Sequence, residues 1–242
     1  MPLAPSSSLP LYIQIREALR AKILDGTYAA HERLPSEREM IDAFGVSRIT
    51  VRQAMNDLQK EGLLFKVHGK GTFVAAPSVS QELMHLQGFG EAMRQQGHET
   101  HSDVFGLSTV KAGSLICSKL GIADGSDVTE IRRVRYLNRD PVSIDYSWVR
   151  HEVGTKLNEK NLREKDLFSL LENALRQPLH SADLEIEATS ASADVAERLR
   201  VANGSPILCI ERLTYASENN PLVFEYLYYP AERFRYKMKI MR

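Results

Sequence analysis

The stretch LPSEREMIDAFGVSRITVR, residues 34–52, contains two helix starts separated by a glycine. Ser36 is suited to be the N-cap of the first helix, and Glu39, three residues later, completes a capping box. Gly45 allows the tight turn that ends this helix. Ser47 then caps a second helix, so the stretch predicts a helix-turn-helix motif.

The segments on either side of the motif extend it to a winged domain. Residues 9–25 predict a helix, because apolar residues recur there every four positions, and the second helix of the motif is expected to end near residue 61. Two short apolar segments, 63–67 and 72–74, flank a basic, glycine-rich turn at 68–71 and predict a β-hairpin. A hairpin that follows a helix-turn-helix is a wing.

The polar residues of this region suit DNA recognition. Arg48 and Arg52 share one helix face, with Thr50 near the helix start, and recognition helices contact base edges mainly through their N-terminal residues. Arginine can hold guanine through two hydrogen bonds. Arg38 lies on the preceding helix, and the wing offers Lys70 and backbone amides for phosphates. The alternative is a small helical domain with a solvated arginine face, but the capped turn and the basic wing favour DNA binding.

Five segments of this region resemble the winged-helix domain of GntR-type bacterial regulators: PLY at 10–12, LPSER at 34–38, VSR at 46–48, TVR at 50–52 and HGKGTFV at 68–74. The resemblance spans nearly all of residues 9–75. It implies that the positions matching the family's DNA contacts, Arg38, Arg48, Thr50, Arg52, His68 and Gly69, touch operator DNA. The predicted DNA-binding residues are therefore Arg38, Ser47, Arg48, Thr50, Arg52, His68, Gly69 and Lys70.

Length and composition suit a globular protein of two domains. The chain has 242 residues, 43% hydrophobic and 26% charged, and a formal net charge of zero. Residues 1–77 carry 10 Lys and Arg against 8 Asp and Glu, a slight excess, so DNA binding depends on clustered charge. No apolar stretch approaches the ~20 residues of a membrane helix, and no secretory signal is recognisable, which predicts a cytoplasmic protein without a membrane partner. Cys117 and Cys209 could pair, but buried free thiols are favoured.

Residues 75–80 are small and polar and include a proline, which is typical of an interdomain linker. We predict a winged helix-turn-helix domain at 1–75, a linker at 76–82 and a second domain at 83–242.

The second domain contains an internal repeat. The pattern of residues 120–136 recurs at 199–215, and that of 141–146 recurs at 221–226. Each copy predicts a helix, a Gly-Ser turn, a strand, a turn and a returning strand. Two such units predict one antiparallel sheet with helices on one side and a ligand cleft between the halves, so the fold class is α+β. The alternative is a chance likeness of turn residues.

The same domain is similar to the effector-binding UTRA domain of the HutC-like branch of GntR regulators. The similarity rests on RVR at 133–135 with Pro141 and Asp145, on PIL at 206–208, on ERLTY at 211–215 and on RFRY at 233–236. It covers about residues 83–242 and implies a chorismate-lyase-like antiparallel sheet. A shared fold does not make the chain an enzyme, because fold does not determine function.

Two arginines are the centre of the candidate effector site. Arg133 and Arg135 alternate on a strand and so project from one face, where paired guanidiniums can hold a carboxylate or phosphate. The alternative is a surface strand with exposed charges. Asp145 and Glu225 occupy equivalent positions in the two repeats and either line the cleft or pair with the arginines. The predicted effector-binding residues are Phe89, Gly90, Arg133, Arg135, Asp145, Asp166, Phe168, Glu225 and Tyr228.

Two departures from the family pattern bear on the effector. Members that respond to sugar phosphates have a hydroxyl residue after the Phe of the domain's first helix and Ser-Leu-Tyr at the entrance of its middle helix. This chain has Gly90 at the first position and Asp-Leu-Phe, residues 166–168, at the second. Both changes remove hydroxyl donors, and Asp166 adds negative charge where a phosphate would lie. We therefore expect a small carboxylate with a polar or cationic group in preference to a sugar phosphate.

Other functions fit the sequence less well. An enzyme acting in the C-terminal cleft would need catalytic groups, but no nucleophile elbow, phosphate loop, metal set or Ser/His/Asp grouping is recognisable, and no catalytic residue, metal or cofactor is predicted. His98 and His101 are expected to be surface residues beside a loop. A DNA-binding structural protein would not need a cleft-containing domain twice the size of its DNA-binding domain. The resemblance to the family implies a repressor that binds double-stranded operator DNA. We expect it to bind as a homodimer, because one winged helix covers too few base pairs.

Overall fold

A computed structural model describes residues 9–75, 79–82, 86–95 and 98–241. The chain divides into two compact units, Met1–Ser78 and Val79–Arg242. In the described parts of the chain, no helix has both the length and the apolar character needed to cross a membrane.

The N-terminal unit is the predicted winged helix-turn-helix. Its elements are α1 (Leu11–Leu24), α2 (Glu37–Phe44), α3 (Arg48–Lys60), β1 (Leu64–Val67) and β2 (Gly71–Val74), and the two strands form an antiparallel hairpin. Three helices and the hairpin share one core, which consists of Ile15, Leu19, Leu34, Met40, Val51, Ala54, Met55, Leu58, Leu64 and Val74.

The predicted helix caps are present. The Ser36 hydroxyl accepts a hydrogen bond from the Glu39 amide at 3.3 Å, and the Glu39 carboxylate accepts one from the Ser36 amide at 2.7 Å. Gly45 takes the left-handed conformation at the end of α2, with φ of 64°. The Ser47 hydroxyl caps α3 by accepting from the Thr50 amide at 3.3 Å. These local bonds fix where both helices of the motif begin.

The C-terminal unit consists of a six-stranded antiparallel sheet, a two-stranded ribbon and six helices among the residues that the structure describes. Its helices are α4 (Phe89–Gln95), α5 (Ser114–Leu120), α6 (His151–Gly154), α7 (Glu159–Glu164), α8 (Leu167–Leu175) and α9 (Ala193–Leu199). Its strands are β3 (Val79–Glu82), β4 (Thr100–Lys111), β5 (Asp127–Leu137), β6 (Asp140–Arg150), β7 (Ser181–Ser190), β8 (Pro206–Ser217), β9 (Asn220–Pro230) and β10 (Phe234–Lys237).

The predicted repeat organises the sheet. One half is β4-α5-β5-β6 and the other is β7-α9-β8-β9, and the strand order is β4-β5-β6-β9-β8-β7. The halves meet where β6 pairs with β9, and Tyr146 lies opposite its own repeat counterpart, Tyr226. The sheet is therefore close to two-fold symmetric about this pair. The sequence pattern missed the first strand of each half.

Helices cover both faces of the sheet, so the prediction of helices on one side is wrong. The repeat helices α5 and α9 pack on one face, called here the back face, against Phe224 and Ile144. The neighbouring Val223 points to the opposite, front face, where α6 and α8 pack, and α4 and α7 also cover this face. The segments that form the front helices lie outside the repeat, so the repeat pattern could not indicate them.

Two arginines join the halves in equivalent ways. Arg150, at the end of β6, donates to the carbonyls of Leu120 at 2.8 Å and Pro221 at 2.7 Å. Arg233, after β9, donates to the repeat counterparts of these carbonyls, Leu199 at 2.9 Å and Pro141 at 3.1 Å. Each arginine thus binds the end of its own half's helix and the start of a strand of the other half.

The second part of the predicted linker 76–82 is strand and not linker. Val79–Glu82 is β3, which pairs in parallel with β10, so that Val79 lies opposite Phe234. The partner strand comes from the other end of the chain, and local composition carries no sign of it. Residues 76–78 lie outside the described residues, and the linker there stays a prediction.

Candidate functional site

The first turn of α3 presents its polar side chains to solvent. The side chains of Arg48 and Arg52 are 72% and 57% exposed. The Ser47 and Thr50 hydroxyls lie 2.8 Å apart in a hydrogen bond, so these two residues fix the helix start. Arg38 on α2 is also exposed. The geometry leaves the arginines available to a ligand as large as DNA.

Two residues near this turn were missed from the sequence. One carboxylate, that of Glu37, lies 3.3 Å from Nε of Arg48 and 3.8 Å from Nε of Arg52, and so holds both guanidiniums on one side. The Ile49 side chain, between the polar positions, is 81% exposed. An exposed apolar residue at this place can contact a thymine methyl group. Its position off the buried stripe of α3 was the available signal.

The wing presents three of the predicted residues at its tip. His68, Gly69 and Lys70 form the exposed turn between β1 and β2, and Gly69 has a φ of 72° that suits glycine. The Lys70 amide donates to the Val67 carbonyl at 3.0 Å, so this amide closes the turn and is not free for a phosphate. The Lys70 side chain remains the cationic group of the tip.

On the front face of the C-terminal sheet, Arg133 and Arg135 are buried and share one acid. Nε of Arg135 donates to Oδ2 of Asp145, and Nη2 of Arg133 lies 3.4 Å from the same oxygen. The Ser143 hydroxyl donates to Oδ1 of Asp145 at 2.9 Å. The alternative of an exposed charged strand is thus wrong. Because Asp145 already pairs with both arginines, they do not require an anion from a ligand to balance their charge.

A second buried pair was missed from the sequence. Nε and Nη2 of Arg212 donate to Oε2 of Glu225 at 2.8 and 2.6 Å, and the Ser147 hydroxyl donates to Oε1 at 2.8 Å. Arg212 and Glu225 lie opposite each other in the register of β8 and β9, as Arg133 and Asp145 do in that of β5 and β6. The repeat offset equates the two pairs, and this signal could have identified Arg212.

Asp166 completes the charge balance beside these pairs. Its Oδ2 accepts from the Gly90 amide at 2.7 Å, and its Oδ1 accepts from the Phe168 amide at 3.1 Å. Burial alone would raise the pKa of Asp166, but Arg135, the Gly90 amide and Arg133 together hold that pKa below its usual value. Burial and the neighbouring Arg135 lower the pKa of Arg133. Asp166 is thus held as a carboxylate.

Two cavities adjoin at Asp166. The first is an open cleft whose cavity volume, about 20 Å³, is that of roughly one water molecule, and its inner wall includes Phe89, Gly90, Arg133 and Arg135. Its rim is mainly basic, with Arg94, His101, Arg163, Glu164 and Lys165. His101 is the second residue of β4, exposed and next to the irregular residues 98–99 as predicted, and the centroid of its ring lies 4.8 Å from that of Tyr136.

The second cavity, with a volume of about 250 Å³, has a more acidic and apolar lining. Glu91 and Glu172 lie in its wall together with Phe168, and Asp166 and Arg94 belong to both cavities. Phe89 and Phe168 are buried against the arginines: Cζ of Arg135 lies 5.4 Å from the Phe89 ring and Cζ of Arg212 lies 4.5 Å from the Phe168 ring. The structure therefore brings together all the predicted effector residues but one.

The exception is Tyr228, which lies on the back face. Its ring lies edge-on to that of Tyr146, with the two ring centroids 6.0 Å apart. Burial, and after it the neighbouring Cys209, raises the pKa of Tyr228 to about 12. Side chains alternate along β9, so Glu225 and Tyr229 point to the front face and Tyr228 points away from it. Including Tyr228 in the site was wrong, because the alternation was not applied from Glu225 onward.

Comparisons with known proteins agree with this division of the chain. Residues 11–74 match the family of bacterial regulatory proteins called gntR, and residues 95–235 match the UTRA domain. The chain is 33% identical to the HTH-type transcriptional repressor NagR of Bacillus subtilis over 95% of this chain and 94% of that protein. It is 28% identical to the histidine utilization repressor of Pseudomonas putida, with 97% of each covered.

A solved structure shares the fold. PhnF from Mycobacterium smegmatis superposes with a TM-score of 0.70, covering 94% of this chain and 99% of that one at 22% identity. At this identity the likeness bears on the architecture alone.

Proposed function

Because the chain belongs to the GntR family of bacterial regulatory proteins, in the HutC-like branch with a UTRA domain, we propose that it represses transcription until a small effector releases it from its operator. The chain is a sequence-specific DNA-binding regulator and not an enzyme. The observation that carries the proposal is the capped first turn of α3, with Arg48 and Arg52 exposed on one face. Its working compartment is then the cytoplasm.

In this proposal the N-terminal unit reads a major groove with α3. Arg48 and Arg52 hold guanine edges, and Thr50 and Ile49 contact bases beside them. Ser47 and Arg38 contact the backbone, as does the wing tip formed by residues 68–70. Glu37 keeps the two arginines together before DNA arrives and gives up at least one of them on binding.

In the C-terminal unit the effector occupies the two cavities that meet at Asp166. Arg133 lines the first cavity, and its buried Nε has no hydrogen-bond partner among the residues that the structure describes, so an acceptor on the ligand would satisfy it if the side chain turned toward the cavity. Arg94 and Lys165 add positive charge at the rim, which favours a carboxylate there, while Glu91 and Glu172 favour a cationic or polar group in the second cavity. We propose that binding changes the spacing of the two DNA-reading units of a dimer through residues 75–80.

Calorimetry on a panel of metabolites tests the effector class. We expect small carboxylates with an amino or other polar group to bind, to remain unconsumed and to release the operator in gel shifts. Arg94→Ala is expected to weaken binding by roughly tenfold, because it removes an exposed rim charge and leaves the buried cluster intact. Micromolar binding of a hexosamine phosphate that Arg133→Ala abolishes would contradict the proposed class, and turnover of the ligand would contradict the regulator.

A homodimer on a short palindrome is expected, because two-fold operators mirror two-fold proteins. Light scattering at micromolar concentration should give twice the mass of one chain, both alone and on the operator. We place the contact in the C-terminal unit, so a truncated N-terminal unit serves as the monomeric control. A single-chain mass for the full-length protein in both conditions would refute the dimer.

A further inference from the structure

The Asp166 carboxylate occupies a place that is built to hold an anion. It is the N-cap of α8, accepting from the Phe168 amide at 3.1 Å, and it also accepts from the Gly90 amide at 2.7 Å. The buried guanidiniums of Arg133 and Arg135 face it from the sheet, and all five residues except Phe168 line the first cavity. Two amides and two cations thus converge on one carboxylate that the chain itself provides.

Glycines make room for this carboxylate. A Cβ added to Gly88 would lie 2.0 Å from Oδ1 of Asp166, closer than any atom tolerates. A Cβ added to Gly90 would lie 3.1 Å from Oδ2, which is also tight. Gly88 therefore needs glycine because the Asp166 side chain lies directly against its backbone, whereas a Cβ at Gly90 would require Asp166 to move by a few tenths of an ångström.

An independent observation indicates that this place can receive a ligand. Arg133, whose side chain is only 1% exposed, lines the same cavity as Asp166, and within the described part of the chain its Nε has no hydrogen-bond partner. The buried cluster contains three arginines, Arg133, Arg135 and Arg212, and only two fully buried acids, Asp145 and Glu225. The Asp166 carboxylate supplies the third negative charge, and without it the cluster would have excess positive charge.

We propose that Asp166 is a specificity-determining residue, an internal anion that excludes phosphate groups from the inner end of the effector site. This rests on the proposed function, in which the cleft binds the effector. A ligand phosphate cannot bind where the Asp166 carboxylate lies, because two anions a few ångströms apart repel each other. The phosphate would also need the same backbone amides that already donate to Asp166. The effector's own carboxylate therefore lies further out, toward Arg94 and Lys165, and an oxyanion enters the inner place only when the carboxylate is removed.

The test is a titration of the full chain with inorganic phosphate, followed by calorimetry and by thermal stabilisation. We expect Asp166→Ser to bind phosphate at least about tenfold more tightly than the wild type, because serine still caps α8 and the excess positive charge is then unanswered. Asp166→Asn removes the charge but still fills the space, so its gain should be smaller than that of the serine variant. Asp127→Ser, which removes an exposed charge at the start of β5, should give no gain.

A folded Asp166→Ser variant that binds phosphate no better than the wild type would overturn the proposal, and so would an equal gain in Asp127→Ser. If the serine variant does not fold, Asp166→Asn must itself bind phosphate more tightly than the wild type. A folded Asp166→Asn variant with the same phosphate affinity as the wild type would then refute the proposal. Operator binding and its release by metabolites are measured on the wild type. Their failure would reject the proposed function, whereas the phosphate titrations test separately whether the Asp166 carboxylate excludes an oxyanion from this place.

Discussion

Asp145→Asn is expected to lower the free energy of unfolding of the C-terminal unit by about 3–5 kcal/mol, the usual result of removing one partner from a buried ion pair. Asp145 is fully buried and is the shared acceptor of Arg133 and Arg135. Asparagine keeps the shape of the side chain but removes the charge that both buried guanidiniums share, so that Asp166 is the carboxylate left facing them. For a unit of this size the loss corresponds to a midpoint roughly 6–20 °C lower.

Fluorescence of the single tryptophan, Trp148 in β6, follows the unfolding of this unit alone. The matched control is Asp127→Asn, whose side chain is 44% exposed and pairs with Lys111 at 3.0 Å on the surface, and it should cost less than about 0.5 kcal/mol. Adding Arg133→Met to Asp145→Asn should recover part of the loss, because it restores the charge balance. If Asp145→Asn is no more harmful than the control, the buried cluster does not stabilise the unit.

Arg48→Ala and Arg52→Ala are each expected to weaken binding to the specific operator by about 1–3 kcal/mol, or roughly 5- to 150-fold. Both side chains are exposed at the start of α3, so their loss should leave the fold unchanged. Affinity for unrelated duplexes should change little, because that affinity depends mainly on phosphate contacts. The measurement is a gel shift on an operator selected by the wild type from random duplexes, with an unrelated duplex in parallel.

Two lysines serve as controls for this prediction. Lys60→Ala removes an exposed cation at the far end of α3 and should preserve operator binding. Lys70→Ala at the wing tip should weaken binding to all sequences alike and reduce the salt dependence by about one charge. Wild-type operator affinity in Arg48→Ala would refute the assignment of α3 as the recognition helix.

The N-terminal unit could be predicted almost completely because its determinants are local. Ser36, Glu39, Gly45 and Ser47 define the motif through bonds that span no more than four residues. The contact of Glu37 with both arginines was not predictable in the same way, since it depends on the angle between two helices.

The C-terminal site was predicted less completely because its contacts depend on strand register. Arg133, Asp145 and Glu225 could be identified from the repeat, but which acid pairs with which arginine follows from the alignment of neighbouring strands. Arg212 was overlooked although the same repeat marks it as the counterpart of Arg133. The hydrogen bond from the Gly90 amide to Asp166 joins α4 to α8 across 76 positions of sequence, and no local sequence pattern is informative at that distance.

The reciprocal bonds of Arg150 and Arg233 have a consequence for how the C-terminal unit acquires its structure. The helix of each half packs on a strand of the other half, and the arginine of each half binds a carbonyl of the other. Neither half can therefore complete its core while the other is unfolded. The two halves must therefore co-fold in one late, non-local step, and such topologies fold slowly. The effector cavities lie on the sheet that this step creates. We therefore expect a newly synthesised chain to form its DNA-binding unit before its effector cavities.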